Sequence, residues 1–133
     1  MHANLFNQNA SKKDVFLQNL RSNNGRYKRY IKAPLRYGGG KSLAVGLIVE
    51  CIPNGVRRII SPFIGGGSVE IACATELSLE VLGFDIFDIL LVNFYQALLK
   101  DKQALYDNLF SLEPTQETYS ITKQELKAHH KKE

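Results

Sequence analysis

Apolar positions along the chain fall either at helical spacing or in short β-branched runs, and the changes between the two mark the elements. Val15, Phe16 and Leu20 stand apart in a polar N-terminal stretch and predict one short helix, ended by the turn signal Asn23-Asn24-Gly25. Pro34 then blocks a helix across "IKAPLRY" and favours an extended run. Leu43, Leu47, Ile48 and Cys51 recur at helical spacing, so residues 41–52 read as an amphipathic helix closed by Pro53-Asn54-Gly55. "VRRIISPFI" is short, β-branched and apolar, as a buried strand of a parallel sheet would be. Three glycines follow at 65–67, then the helix formers of "SVEIACATEL", with Ser68 as the predicted N-cap. A second strand lies in "LEVLGFD", ending at Asp85. Three helical stretches complete the pattern: "ILLVNFYQALLKD" with Leu90, Phe94, Ala97 and Leu98 on one face, "KQALYDNLFSL", and the more polar "ETYSITKQELKAHH".

Strand, glycine turn, helix, strand is a βαβ unit, which makes the class α/β with a parallel sheet. Two strands are fewer than a doubly wound sheet normally has, so the pattern reads as the first half of a Rossmann-like domain. At 133 residues there is room for one core, with 44% hydrophobic and 23% charged residues at globular averages. No apolar run is long enough to span a membrane, and the N-terminus lacks the order of a signal peptide. Cys51 and Cys73 both fall on apolar helical patterns and are expected as buried free thiols of a cytoplasmic protein. The net charge is +4, concentrated in "RSNNGRYKRYIK" and the C-terminal "KAHHKKE". Tyr27 and Tyr30 among these cations offer a nucleic-acid contact, against the alternative of a solvated basic tail. His129 and His130 sit in the lysine-rich tail without further ligands at zinc spacing, so no metal site is expected.

Two glycine clusters carry candidate chemistry. "YGGGKS" ends like a phosphate loop, but Leu35 occupies the position of the required first glycine, and the segment before it is polar and broken by Pro34. "SPFIGGGSVE" has the context a cofactor turn needs, a buried strand before and a helix after. Glu70 replaces the third glycine of the dinucleotide fingerprint, which argues against a pyrophosphate. Asp85 stands 20 residues beyond Gly65 at the end of the next strand, where a carboxylate accepts both hydroxyls of a ribose. A glycine turn with a ribose acid and no pyrophosphate site suits a nucleoside lacking phosphates, such as S-adenosylmethionine.

Together, "APLRYGGGKSLAVGLIVECIPNGVRRIISPFIGGGSVEIA" and "LGFDIFDILLVNFYQALLKD" resemble the Dam-like adenine-specific DNA methyltransferases, over residues 32–112. The family's pattern has a P-[LF]-x-[WY]-x-G-G-K segment, an [EP]-P-F-x-G-x-G-S turn and a D-I-N segment, in this order. The resemblance implies that S-adenosylmethionine is the cofactor, with Tyr37 and Lys41 beside its methionine end and the Lys41 ammonium facing the carboxylate. It implies that Gly65, Gly67 and Ser68 pass under the cofactor through backbone contacts, that Pro62 and Phe63 shape the turn, and that Asp85 holds the ribose. Ile86 or Phe87 would pack on the adenine ring. Tyr37 stands where tryptophan is common, Phe87 replaces the family's asparagine, and the helix after it carries one extra residue.

The family's chemistry needs a later [DN]-P-P-[YF] segment, and no two of Pro34, Pro53, Pro62 and Pro114 are adjacent. Catalytic residues are therefore none. The chain divides into a basic extension, 1–31, and a partial S-adenosylmethionine-binding domain, 32–133, without the Pro-Pro motif or a target-recognition region. The reading is the cofactor-binding portion of a DNA adenine methyltransferase, truncated or frameshifted, from a restriction-modification or phage-borne system. By itself it would be inactive and, with an open edge on "VRRIIS", poorly soluble. Double-stranded DNA is the partner of the complete enzyme. Two other readings stand beside it: a subunit of a split methyltransferase, completed by a chain carrying the Pro-Pro motif, and a basic nucleic-acid-binding protein without a cofactor.

Overall fold

The computed structural model describes residues 10–86 and 88–130, with the side chains of His129 and His130 outside the description. The expectations for Phe87, for those two histidines and for the first nine residues therefore lie outside the described residues. The elements run α1 (Lys12–Leu20), α2 (Val45–Cys51), β1 (Arg58–Ser61), α3 (Ser68–Thr75), β2 (Glu80–Gly83), α4 (Ile89–Lys100), α5 (Lys102–Phe110) and α6 (Gln116–His130). They fall into two compact units, residues 1–92 and 93–133.

In the first unit, β1 and β2 pair in parallel, Arg58 opposite Glu80 through Ser61 opposite Gly83. The expected βαβ order is present as a two-stranded sheet. Alternation along each strand separates its two faces. Ile59 and Val81 turn toward the core, whereas Ile60 and Leu82, opposite each other, are 63% and 55% exposed. The strand expected to be buried on both faces is thus covered on one. That side carries the core: Phe16 and Leu17 of α1, Tyr30, Val45 and Val49 of α2, Ala72 and Cys73 of α3, and Leu77.

Helix α1 starts on a capping box that the apolar pattern did not reveal. The Ser11 hydroxyl accepts from the Asp14 N–H, and the Asp14 carboxylate accepts from the Ser11 N–H. Lys13 reaches across to donate to the Glu50 and Ile52 carbonyls at the end of α2, where a cation satisfies orphan acceptors. Helix α2 begins at Val45 rather than residue 41, and its buried stripe is Val45, Gly46 and Val49. Leu43, Leu47 and Cys51, expected on the inner face, are exposed. The chain leaves the glycine loop in turns over residues 42–44, so the helix starts four residues late and Val45 and Val49 set its inward face.

Tyr30 is 4% exposed and is the pin of the basic segment. Its ring packs edge-on against Phe16 at 6.0 Å between centroids, and its N–H donates to the Ser42 carbonyl. Its hydroxyl lies 3.2 Å from Thr75 Oγ1 and donates to Glu76, which also pairs with Lys32 at 2.7 Å. Burial, first, raises the Tyr30 phenol above its ordinary range, and the hydrogen bond to Lys32, first, lowers the Glu76 carboxyl. Tyr27 lies under the Arg21 guanidinium and against α2. Both tyrosines are thereby committed to packing rather than to an outward stacking face.

In the second unit, the Asp101 carboxylate caps α5 by accepting from the Ala104 N–H, and the Thr115 hydroxyl accepts from the Thr118 N–H at the start of α6. Helix α5 buries none of its side chains. Among the described residues no helix is long and apolar enough to cross a membrane.

Gly46 is where α2 meets Tyr27: a Cβ there would lie 2.2 Å from Tyr27 Cγ. Alanine is favoured over glycine inside a helix by about 1 kcal/mol, but overpacking costs about 1–3 kcal/mol. Gly46→Ala is therefore expected to lower the urea midpoint in the wild-type background and to be neutral or stabilising in Tyr27→Ala. A rise in midpoint with Tyr27 present would contradict this packing.

The two thiols differ. Cys51 is exposed, while Cys73 is fully buried and its thiol is pushed up to about 11, first by burial and then by the charge of Glu70. The folded-state value is raised, so the stability it contributes is whole below the unfolded value near 9.0 and is lost as pH rises toward 11. A disulfide reagent at pH 8 should titrate one thiol in the native chain and both in denaturant; rapid reaction of both in the native chain would contradict the burial of Cys73.

Candidate cofactor cleft

The ends of the two strands build the site. Beyond Ser61 the pairing continues irregularly: the Phe84 N–H donates to the Ser61 carbonyl, the Ile64 N–H donates to the Phe84 carbonyl, and Phe63 bridges Asp85. This brings the residue after β2 against the turn after β1. The Gly65 N–H donates to Asp85 Oδ2 at 3.3 Å, and the other carboxylate oxygen accepts from the Asp88 N–H at 2.9 Å.

The turn ends in a left-handed residue, Gly67 at φ +67°, which serves as the N-cap of α3. Ser68, expected as the cap, is instead the first helical residue and is buried. A residue with a side chain is disfavoured in the left-handed region, so the cap falls on the last glycine and the serine moves one place into the helix. The Gly67 N–H is taken by the Ile64 carbonyl, which tightens the turn.

The glycine loop of "YGGGKS" closes over this turn. The Tyr37 ring lies beside Gly65, and a Cβ at Gly66 would meet Tyr37 Cβ at 3.0 Å and the Leu35 carbonyl at 3.2 Å. The Tyr37 hydroxyl donates to Asp88 Oδ2 at 3.2 Å. That hydrogen bond, then burial, then the charges of Asp88 and Asp85 raise the phenol above its ordinary range. Lys41 donates to the Gly39 carbonyl at 2.9 Å. No strand leads into this loop, so it has neither the glycine nor the setting of a phosphate loop.

Loop and turn enclose a cleft of about 400 Å³, lined by Tyr37, residues 38–40, Lys41, residues 63–67, Ser68, Val69, Glu70 and Asp85. Tyr37, Lys41, Phe63, Gly65, Gly67, Ser68 and Asp85, expected from the sequence, are on this wall, whereas Pro62 precedes the turn and is not part of the lining. Ile86 is exposed and also lies outside the lining. The volume lies within the range of small-molecule sites. Glu70, which accepts from the Ser61 hydroxyl, adds a second carboxylate to that of Asp85, with the Lys41 ammonium as the cation of the wall. Asp88 went unnoticed in the sequence; its signal is an aspartate just before the apolar run of α4, where its Oδ1 accepts from the Leu90 and Leu91 N–H groups.

A comparison with protein families matches residues 37–133 to the D12 class N6 adenine-specific DNA methyltransferase. No curated protein and no solved structure matches the chain. The matched stretch starts at Tyr37, takes in the whole glycine loop, the turn and Asp85, and spans well over half of the sequence. The chain belongs to the D12 class of N6 adenine-specific DNA methyltransferases.

Proposed function

We propose that these residues form the S-adenosylmethionine-binding part of a site-specific DNA adenine methyltransferase. The observation that carries this reading is the single cleft gathering Tyr37, Lys41, the 65–67 turn and Asp85 from three separate stretches of sequence. The wall suits the ligand's charges. A sulfonium and an amino group are cations, which two carboxylates favour, and a lone lysine suits the ligand's one carboxylate. A triphosphate would meet Glu70 and Asp85 as like charges.

In this reading Asp85 accepts hydrogen bonds from the ribose hydroxyls, the glycine turn lets the ligand approach the backbone at the start of α3, and Tyr37 closes the methionine end. Bound S-adenosylmethionine would supply an activated methyl group. The acceptor in the family is the exocyclic amino group of adenine, a poor nucleophile because its lone pair is delocalised into the ring. The Asp/Asn-Pro-Pro-aromatic segment that localises that lone pair is not within these 133 residues, and no described residue is assigned its role. A strand bearing such a segment, on this polypeptide or on a complementing chain, would have the edge of β1 away from β2 to pair with. The setting is a cytoplasmic restriction-modification or phage-borne system acting on double-stranded DNA. A cofactor-free nucleic-acid binder is less well supported, since Tyr30, the aromatic centre of the basic stretch, is spent in the core.

Calorimetric titration tests the cofactor assignment. The wild-type chain is expected to bind S-adenosylmethionine and S-adenosylhomocysteine, and Asp85→Ala to weaken both by about 10- to 100-fold, the worth of hydrogen bonds to a charged acceptor. Gly66→Ala, which displaces Tyr37, should weaken binding without abolishing the fold. No heat from the wild type, or equal affinity in Asp85→Ala, would sink the assignment. Purified chain alone is expected not to methylate adenine-containing duplex; methyl transfer by these residues unaided would contradict the division of labour.

A further inference from the structure

We propose that Asp88 is a positioning residue that latches the 37–41 loop over the cofactor cleft. The inference rests on the cofactor reading above and adds a residue that lies outside the cleft's lining. One carboxylate oxygen of Asp88 accepts from the Tyr37 hydroxyl at 3.2 Å, while the other accepts from the Leu90 and Leu91 N–H groups at 3.1 and 3.3 Å. Its own N–H donates to Asp85 at 2.9 Å, and Asp85 in turn accepts from the Gly65 N–H. Tyr37 returns to Gly65 through its ring and to Gly66 through its Cβ and backbone.

These contacts form a closed circuit: loop to Asp88, Asp88 to Asp85, Asp85 to the glycine turn, and the turn back to the loop. The helix cap holds the Asp88 carboxylate still, so the phenol meets an acceptor that is already oriented. Between Tyr37 and Lys41 the chain is three glycines, and Lys41 bonds to the Gly39 carbonyl of its own loop. Among the described residues, the Tyr37 hydroxyl is the side-chain donor that ties this loop to the far side of the cleft. Releasing it frees Tyr37 from its place over Gly65 and Gly66 while the cap and the core stay intact.

Three substitutions separate the latch from the cap. Asp88→Ser keeps a capping hydroxyl but is too short to reach Tyr37. Asp88→Asn keeps the cap through its carbonyl oxygen and still reaches Tyr37, its amide N–H2 donating to the phenol oxygen, and Tyr37→Phe removes the hydroxyl alone. Limited trypsin cleavage after Lys41 in the ligand-free protein reads loop opening directly. The rate is expected to rise about three- to tenfold in Asp88→Ser and in Tyr37→Phe, with no further rise in the double variant, and to stay at the wild-type level in Asp88→Asn. Affinity for S-adenosylhomocysteine should fall by a similar factor in the same two variants, again without additivity, while the melting temperature holds. Equal cleavage rates in all variants, or additive effects in the double, would overturn the latch. A wild type with no affinity for S-adenosylhomocysteine overturns the cofactor reading and the positioning role with it, whereas the cleavage rates still decide whether the latch exists.

Discussion

Parallel pairing of β1 with β2 puts the C-terminal ends of both strands at one end of the sheet, and the meeting of the glycine turn with Asp85 follows from that placement. The turn after β1 and the carboxylate after β2 are 20 residues apart in sequence, yet the register Ser61 to Gly83 leaves them one step from contact. The short irregular pairing of Ile64 with Phe84 and of Phe63 with Asp85 completes the approach. Asp85 then bonds the Gly65 N–H, so the residue positioned for a ligand also braces the turn that would carry it. Were the strands antiparallel, the turn and the acid would fall at opposite ends of the sheet.

The core supports this end of the sheet from one side. Tyr30 ties three parts together: its ring packs on α1, its N–H reaches Ser42 just past the glycine loop, and its hydroxyl reaches the C-terminal end of α3. The loop between residues 37 and 41 is thus pinned at its C-terminal end to the core and at its N-terminal end to Asp88. A glycine-rich segment is entropically costly to order; two anchors set its ends, and within it the Gly40 N–H donates to the Tyr37 carbonyl and Lys41 to the Gly39 carbonyl. The opposite face of the sheet, with Ile60 and Leu82 exposed, is apolar surface of the kind that further protein normally covers.

Much of this was legible in the sequence because its signals are local. The change from a short β-branched apolar run to helix formers across the 65–67 glycines marks a βαβ unit, and the distance from Gly65 to Asp85 is a ribose-acid spacing. What escaped depends on tertiary placement. The start of α2 is set by where the glycine loop joins the core, so the inner face turned out to be Val45 and Val49 rather than Leu43 and Leu47. The same inward face leaves Cys51 exposed. Ser68 is a sound cap by residue type, but a left-handed Gly67 took the position. Tyr30 reads as part of a basic, aromatic surface until the fold turns it into the core. Asp88 bonds a residue 51 positions away, a partnership that no local pattern displays.

The central claim is that the "YGGGKS" loop and the glycine turn are two walls of one cofactor site. Amide hydrogen exchange with and without S-adenosylhomocysteine tests it most directly, since it reports on each segment separately. The account predicts joint slowing at residues 37–41, 65–69 and 85–88, with α5 and α6 unchanged. Slowing at the glycine turn alone, or no change at either, would contradict it.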